Sequence, residues 1–216
     1  MKAASSGLAL DRVALSIAGR TLFGPLDVAV PPGGHVTIMG PSGCGKSTLL
    51  ALIAGTLDPA FTATGDVRID GEGILALPPE RRRACILFQD DLLFPHLSVG
   101  DNLAFALPPS IRDRGARRAA VAQALAEADL AGFEARDPAT LSGGQRARVA
   151  VMRTLLAAPR VLLLDEPFNK LDAHLRQEFR RFVFDHARNR ALPALLVTHD
   201  AADADAAGGP IVMLGA

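Results

Sequence analysis

Gly40-Pro41-Ser42-Gly43-Cys44-Gly45-Lys46-Ser47-Thr48 decides the fold. It satisfies the pattern G-x-x-x-x-G-K-[ST] in full. Ahead of it, His35-Val36-Thr37-Ile38-Met39 is a short, β-branched, apolar run of the kind that forms a buried parallel strand. Behind it, residues 48–54 have helical character and Gly55 stops them. Strand, glycine turn and helix predict an anion nest of successive backbone N–H groups. Lys46 is placed to reach the β- and γ-phosphates of a nucleotide, and the Ser47 hydroxyl to ligate Mg²⁺.

Two further stretches extend the argument. Val161-Leu162-Leu163-Leu164-Asp165-Glu166-Pro167 reads as a strand buried on both faces. Its two carboxylates fall at the carboxyl end, where open α/β sheets bind ligands. Asp165 is expected to hold the magnesium, and Glu166 to orient or deprotonate an attacking water. Between the two regions lies Leu141-Ser142-Gly143-Gly144-Gln145. Ser142 can cap a helix, the two glycines let N–H groups approach an oxyanion, and the helix dipole favours phosphate. The chain thus carries two separated phosphate-reading surfaces.

Gln89 follows the apolar run 84–88, and His199 follows the apolar run 194–198. Both fall at predicted strand ends on the phosphate edge. Asn169-Lys170-Leu171-Asp172 leads from the acidic strand into a helix. In this order and spacing the chain resembles the ATP-binding cassette family over nearly its whole length. The matching motifs are Walker A (Gly40, Pro41, Ser42, Gly43, Cys44, Gly45, Lys46, Ser47, with Thr48 following), the Q-loop (Gln89), the signature (Leu141, Ser142, Gly143, Gly144, Gln145), Walker B ending at Asp165, the catalytic Glu166, the D-loop (to Asp172) and the switch His199.

The resemblance implies an α/β P-loop NTPase: a RecA-like parallel-sheet core, an N-terminal antiparallel β subdomain and an inserted α-helical subdomain at about 90–145. Residues 1–216 are expected to be one such domain, without a C-terminal regulatory domain. The resemblance also implies an ATPase, with ATP and Mg²⁺ as cofactors. The magnesium is held by Ser47, Gln89 and Asp165; Glu166, His199 and Gln89 are catalytic. A head-to-tail homodimer closes each ATP between the Walker A loop of one subunit and the signature of the other, with Asp172 at the same junction.

Composition agrees with a globular chain. Formal net charge is zero across 216 residues, so no electrostatic footprint for nucleic acid appears and none is expected as a partner. No apolar run reaches about 18 residues, and no signal-peptide pattern stands at the start. Cys44 and Cys85 read as free thiols. The basic clusters Arg81-Arg82-Arg83 and Arg112 to Arg118 read as solvated faces.

Residues 8–38 read as an antiparallel start with turns near Gly19-Arg20 and at 31–34, and Gly65 to Ile69 as a further strand. Helices are expected around 100–106, 116–128, 172–188 and 200–207, and an edge strand over 210–214. The family usually stacks an aromatic ring on adenine. Here Ile17 or Ala18 takes that place, with Phe23 as the other candidate, and the chain has no Tyr or Trp.

Residues 88–99 are similar to the corresponding stretch of bacterial small-solute importers, with Phe94, His96 and Leu97 as candidates for a groove that receives the membrane partner. The expected role is the energy-coupling subunit of a bacterial importer on the cytoplasmic face of the inner membrane. It would work with integral permease subunits and an extracytoplasmic solute-binding protein. The alternatives are the ATPase of an exporter or lipid-extracting complex, and a soluble mechanical ATPase. Coiled coils, zinc inserts or a second cassette would favour the last, and none is present.

Overall fold

The structure is a computed structural model and describes residues 7–215. The chain divides into two compact units, one made of residues to Ile86 with Arg160–Glu166 and Arg180 onward, the other of Leu87–Pro159 and Pro167–Phe179.

The first unit contains two sheets. The antiparallel sheet has the order β2-β1-β4-β5, built from β1 (Leu8–Ile17), β2 (Arg20–Val30), β4 (Phe61–Ile69) and β5 (Glu72–Gly73). Ala18 and Gly19 both take positive φ, which a tight hairpin turn between twisted strands requires. β4 starts four residues ahead of the expected Gly65. Gly65 is not a strand end but part of a bulge: φ is +90° and a Cβ there would stand 2.4 Å from the Arg12 carbonyl oxygen. The β1–β4 register shifts between Asp11 and Ala14 at that point.

The second sheet has the order β6-β7-β8-β3-β9. Its strands are β3 (His35–Met39), β6 (Ala84–Leu87), β7 (Val161–Asp165), β8 (Ala194–Val197) and β9 (Ile211–Met213). β3 pairs in parallel with β8 and β9, and β7 in parallel with β8. Period-2 alternation divides the side chains. Val36, Ile38, Val161, Leu163, Leu195 and Val197 join the core that also holds Leu49, Leu50 and Ile53 of α1 (Lys46–Ala54) and the inward residues of β1, β2 and β4. Leu162, Leu164 and Leu196 are equally buried, so these strands read as unbroken apolar runs. β9 lies at the sheet edge, as its leading Pro210 predicts.

Arg82 corrects the reading of its cluster. It belongs to the short α2 (Pro79–Arg82), is 7% exposed, and is not solvated. Its Nη1 donates to the Leu52 and Ile53 carbonyls at 2.6 and 3.3 Å, its Nε to Leu77 O at 2.8 Å and its Nη2 to Leu75 O at 2.9 Å. Two of these acceptors are last-turn carbonyls of α1, and Leu52 O also accepts from the capping Gly55 N at 3.3 Å. Arg81 and Arg83 are exposed as expected.

The second unit contains α3 (Val99–Ala106), α4 (Arg114–Glu127) and α5 (Gly143–Leu156). A single 3₁₀ turn precedes α5 at Pro138–Thr140. Ser98 and Asp113 cap α3 and α4, accepting from Asp101 N and Ala116 N. Arg117 departs from the solvated reading too: it donates to Ala104 O near the end of α3 and to Ile111 O. Buried Asn102 pins the loop before α3. Its Nδ2 donates to Phe94, Leu97 and Ser98 carbonyls, and its Oδ1 accepts from Phe94 N.

α6 (Ala173–Asn189) starts in this unit and runs on into the first, where α7 (Ala201–Ala207) follows β8. Among the described residues, no helix is long and apolar enough to cross a membrane.

Candidate functional site

The carboxyl edge of the parallel sheet in the first unit carries the site. β3 ends at Met39 and the glycine loop turns straight into α1. Gly45 stands at the N-cap of α1 with φ +97°, and no side chain caps this helix. No acidic residue occupies its first turn either. The first N–H groups of α1 and its positive dipole end are thus left for an anion to satisfy. Packing is tight at position 45 as well, since a Cβ there would meet the Phe23 ring at 3.0 Å.

Phe23 is 6% exposed in the core beside that loop, so it is not presented to adenine. Of the other candidates, Ile17 is half-buried at the hairpin end and Ala18 is exposed.

Lys46 lies along the loop, its Nζ donating to Gly40 O at 2.8 Å and Pro41 O at 2.9 Å. Its ammonium thus sits at the centre of the glycine turn. Ser47 Oγ donates to Asp165 Oδ1 at 2.9 Å, joining the start of α1 to the end of β7. Burial, and next the charge of Glu166, hold the Asp165 carboxyl above the usual range; the Ser47 hydrogen bond and Lys46 act the other way. A partly desolvated carboxylate beside another carboxylate is relieved by a cation.

The donors at this point are a hydroxyl and a carboxylate, both hard oxygens. Mg²⁺ commonly takes one or two protein oxygens and completes its shell with water and substrate phosphates. The described residues hold no cluster of three or more His, Cys, Asp or Glu that could cage a metal. The residues present therefore fit Mg²⁺ delivered with a nucleotide.

Glu166 follows β7 with φ +46°, an uncommon conformation for a side-chain-bearing residue. Its N–H donates to Val197 O at 3.0 Å, tying the turn to β8. Its Oε1 lies 3.0 Å from Nδ1 of His199. A carboxylate only accepts, so Nδ1 carries the hydrogen in that contact. The sheet thus brings together Lys46, Ser47, Asp165, Glu166 and His199, all predicted site residues.

Gln89, Ser142, Gly143, Gly144, Gln145 and Asp172 belong to the second unit. Gln89 is exposed beyond β6. Ser142 caps α5: its Oγ accepts from Gln145 N at 3.3 Å, and Gln145 Oε1 accepts from Ser142 N at 3.0 Å. This capping box uses two of the signature's polar side chains on the helix's own backbone. Asp172 caps α6, accepting from Leu175 N. Cys44 and Cys85 are free and half-buried, and burial raises the Cys85 thiol.

Sequence reading missed Thr198, Asp203 and Arg180, which form a buried network beside His199. The one available signal was helical phase: among the acidic residues of the Ala/Asp-rich segment, Asp203 alone falls on the buried side of α7 with Ala204 and Ala207.

A phosphate loop feeding an uncapped helix, a Ser–Asp pair and a carboxylate backed by histidine define a P-loop nucleoside triphosphatase. The chain belongs to the ABC transporter ATPase family, whose model matches residues 23–169. It is 48% identical over 199 residues to the uncharacterised ABC transporter ATP-binding protein YnjD of Escherichia coli K12, covering 92% of this chain and 91% of that one.

It is 38% identical over 207 residues to the Fe(3+) ions import ATP-binding protein FbpC of Mannheimia succiniciproducens. That match covers 96% of this chain, which spans 58% of the relative's length. Among solved structures it resembles the ATP-binding cassette MJ0796, a dimer in a post-hydrolysis state with ADP and Pi bound. The TM-score is 0.78 at 28% identity, covering 96% of this chain and 94% of that one. The protein is thus an ABC-type ATPase with the P-loop α/β fold, and it binds ATP.

Proposed function

We propose that the protein is the energy-coupling subunit of a bacterial ABC importer, hydrolysing ATP to drive a membrane permease. The observation that carries the catalytic part is the shared edge where Ser47 meets Asp165 and Glu166 meets His199. The Fe(3+) import named for the FbpC relatives supports the direction of transport. Residues 1–216 form one ATPase domain in this reading, with its helical subdomain inserted at about 90–145.

The residues divide the work as follows. The glycine loop and the first turn of α1 bind the phosphates, and Lys46 turns from the loop carbonyls to the β- and γ-phosphates. Ser47 and Asp165 would hold Mg²⁺, which when bound neutralises charge on the phosphate oxygens. Glu166 accepts a proton from the attacking water. His199 orients Glu166 through Nδ1 and contacts the γ-phosphate side of the site.

Ser142, Gly143, Gly144 and Gln145 read the phosphates of a second copy's nucleotide, with Asp172 at the same junction, in a head-to-tail homodimer. Ser142 exchanges its cap for that contact on closure. The exposed Leu92, Phe105 and His96, with Phe94 and Leu97, receive the permease on the cytoplasmic side of the inner membrane. An extracytoplasmic solute-binding protein supplies the solute.

The test is capture of tagged Glu166→Gln from detergent-solubilised native membranes with ATP and Mg²⁺. The expected catch is a multi-span permease with a solute-binding protein. A catch holding only ribosomal or DNA-bound proteins would overturn the transport reading. A permease of an exporting system would overturn the import reading alone.

A further inference from the structure

His199 needs a brace. Its side chain is 61% exposed while that of Glu166 is 26% exposed, so packing does little to fix the imidazole. A ring held loosely loses the geometry on which proton transfer depends. Its chain neighbours are held unusually firmly instead.

Thr198 is fully buried. Its hydroxyl donates to Asp203 Oδ2 at 2.9 Å and accepts from Asp200 N at 3.0 Å. Its backbone N–H donates to Ile38 O at 3.2 Å, fixing it to β3. Asp203 is also fully buried, in α7. Its Oδ1 accepts from both Nε and Nη2 of Arg180, the former at 2.6 Å. Arg180 Nη2 also stands 3.6 Å from Asp200 Oδ2. Asp200 in turn caps α7 by accepting from Ala202 N.

We propose that Arg180, Asp203 and Thr198 are positioning residues for ATP hydrolysis, a buried brace that clamps the peptide on both sides of His199 and so sets its ring against Glu166. The proposal rests on the reading of His199 and Glu166 given above. Its logic is chemical. Asp203 carries a charge that burial makes costly unless paired, and Arg180 pairs it. One Thr198 hydroxyl then serves both as donor to that carboxylate and as acceptor for the N–H just after His199. Valine at 198 would keep the shape and lose both bonds. Serine would keep the hydroxyl.

The test is single-turnover hydrolysis of radiolabelled ATP by the full-length chain at high protein concentration, with Mg²⁺. Rates are taken per nucleotide-binding site, so that misfolded protein is not counted. Thr198→Val should lower the rate by on the order of tenfold to a hundredfold while leaving the half-saturating ATP concentration within about twofold. Thr198→Ser should restore the rate. In a His199→Ala background, Thr198→Val should cost nothing further, because the brace acts through that ring.

An unchanged rate in Thr198→Val, or an equal loss with and without His199, would overturn the brace and leave the assignment of His199 standing. A His199→Ala protein at full rate would overturn both. A drop in melting temperature with no change in rate per site is the result of a purely structural network, and it too would refute the proposal.

Discussion

Replacing Arg82 by methionine removes a guanidinium that serves four carbonyls inside the first unit. Three of the bonds are 2.6–2.9 Å long; the fourth, at 3.3 Å, shares a donor and adds little. A hydrogen bond from a charged donor contributes about 1.5–3 kcal/mol net. Three such bonds give about 4.5–9 kcal/mol, less what methionine regains by sparing the desolvation of a buried cation. The arginine pKa is itself pulled down by that burial.

The expected loss is about 3–5 kcal/mol, a large part of the ~5–15 kcal/mol that a folded domain holds in reserve. With an m-value near 2 kcal/mol/M, the first urea transition should fall by about 2 M. Because the chain has no Trp or Tyr, the transition is followed by far-ultraviolet circular dichroism. Arg82→Lys keeps the charge but loses the fork, and should recover less than half of the deficit. A loss under about 1 kcal/mol for Arg82→Met would show that water or rearrangement satisfies the α1 carbonyls, and would refute the capping argument.

Three other outcomes follow from the same geometry. Asp165 has a raised carboxyl pKa, so its favourable contribution is complete below the ordinary carboxylate pKa and is lost as pH rises through the folded value. Asp165→Asn should therefore raise the melting temperature of nucleotide-free protein at pH 7 and abolish the further rise given by ATP with Mg²⁺; a lower melting temperature without nucleotide would count against the desolvation account.

Asn102→Ala removes the side-chain partner of Phe94 N and Leu97 O, while Phe94 O and Ser98 O keep the backbone N–H groups of Leu97 and residue 102. It should cost about 1–3 kcal/mol and speed hydrogen exchange at the Phe94 amide, and unchanged exchange would contradict the pinning role. With Phe23 buried and no Tyr or Trp, GTP should displace labelled ATP within about tenfold of ATP itself, since ~1–3 kcal/mol of stacking is missing. A strong ATP preference would point to a contact with the base that Ile17 does not supply.

The phosphate loop and the apolar runs 161–164 and 194–197 were legible because their signals are local: a glycine spacing and an unbroken β-rich stretch suffice for a buried parallel strand. The strand ends then placed Glu166 and His199 correctly on one edge. What escaped was decided by partners far away in sequence. Arg82 reads as one of three equivalent arginines until the carbonyls of α1 arrive beneath it. Gly65 reads as a strand start until Arg12 is set opposite it. Phe23 reads as a spare aromatic until the absent Cβ of Gly45 makes room for its ring. Asp203 is one acidic residue among several until the phase of α7 turns it inward to Arg180.

The strand order has a consequence for the making of the molecule. β3 carries the phosphate loop, yet its neighbours β8 and β9 are encoded near residues 194–213. At about 5–20 residues per second, a ribosome leaves that apolar strand unpaired for roughly 10–30 s. For that time the nascent chain offers an aggregation-prone edge and an incomplete nucleotide site, which makes it a natural client for a holding chaperone. A product truncated before β8 lacks the strand that fixes β3 and the histidine that faces Glu166. Aborted chains therefore lack a complete nucleotide site.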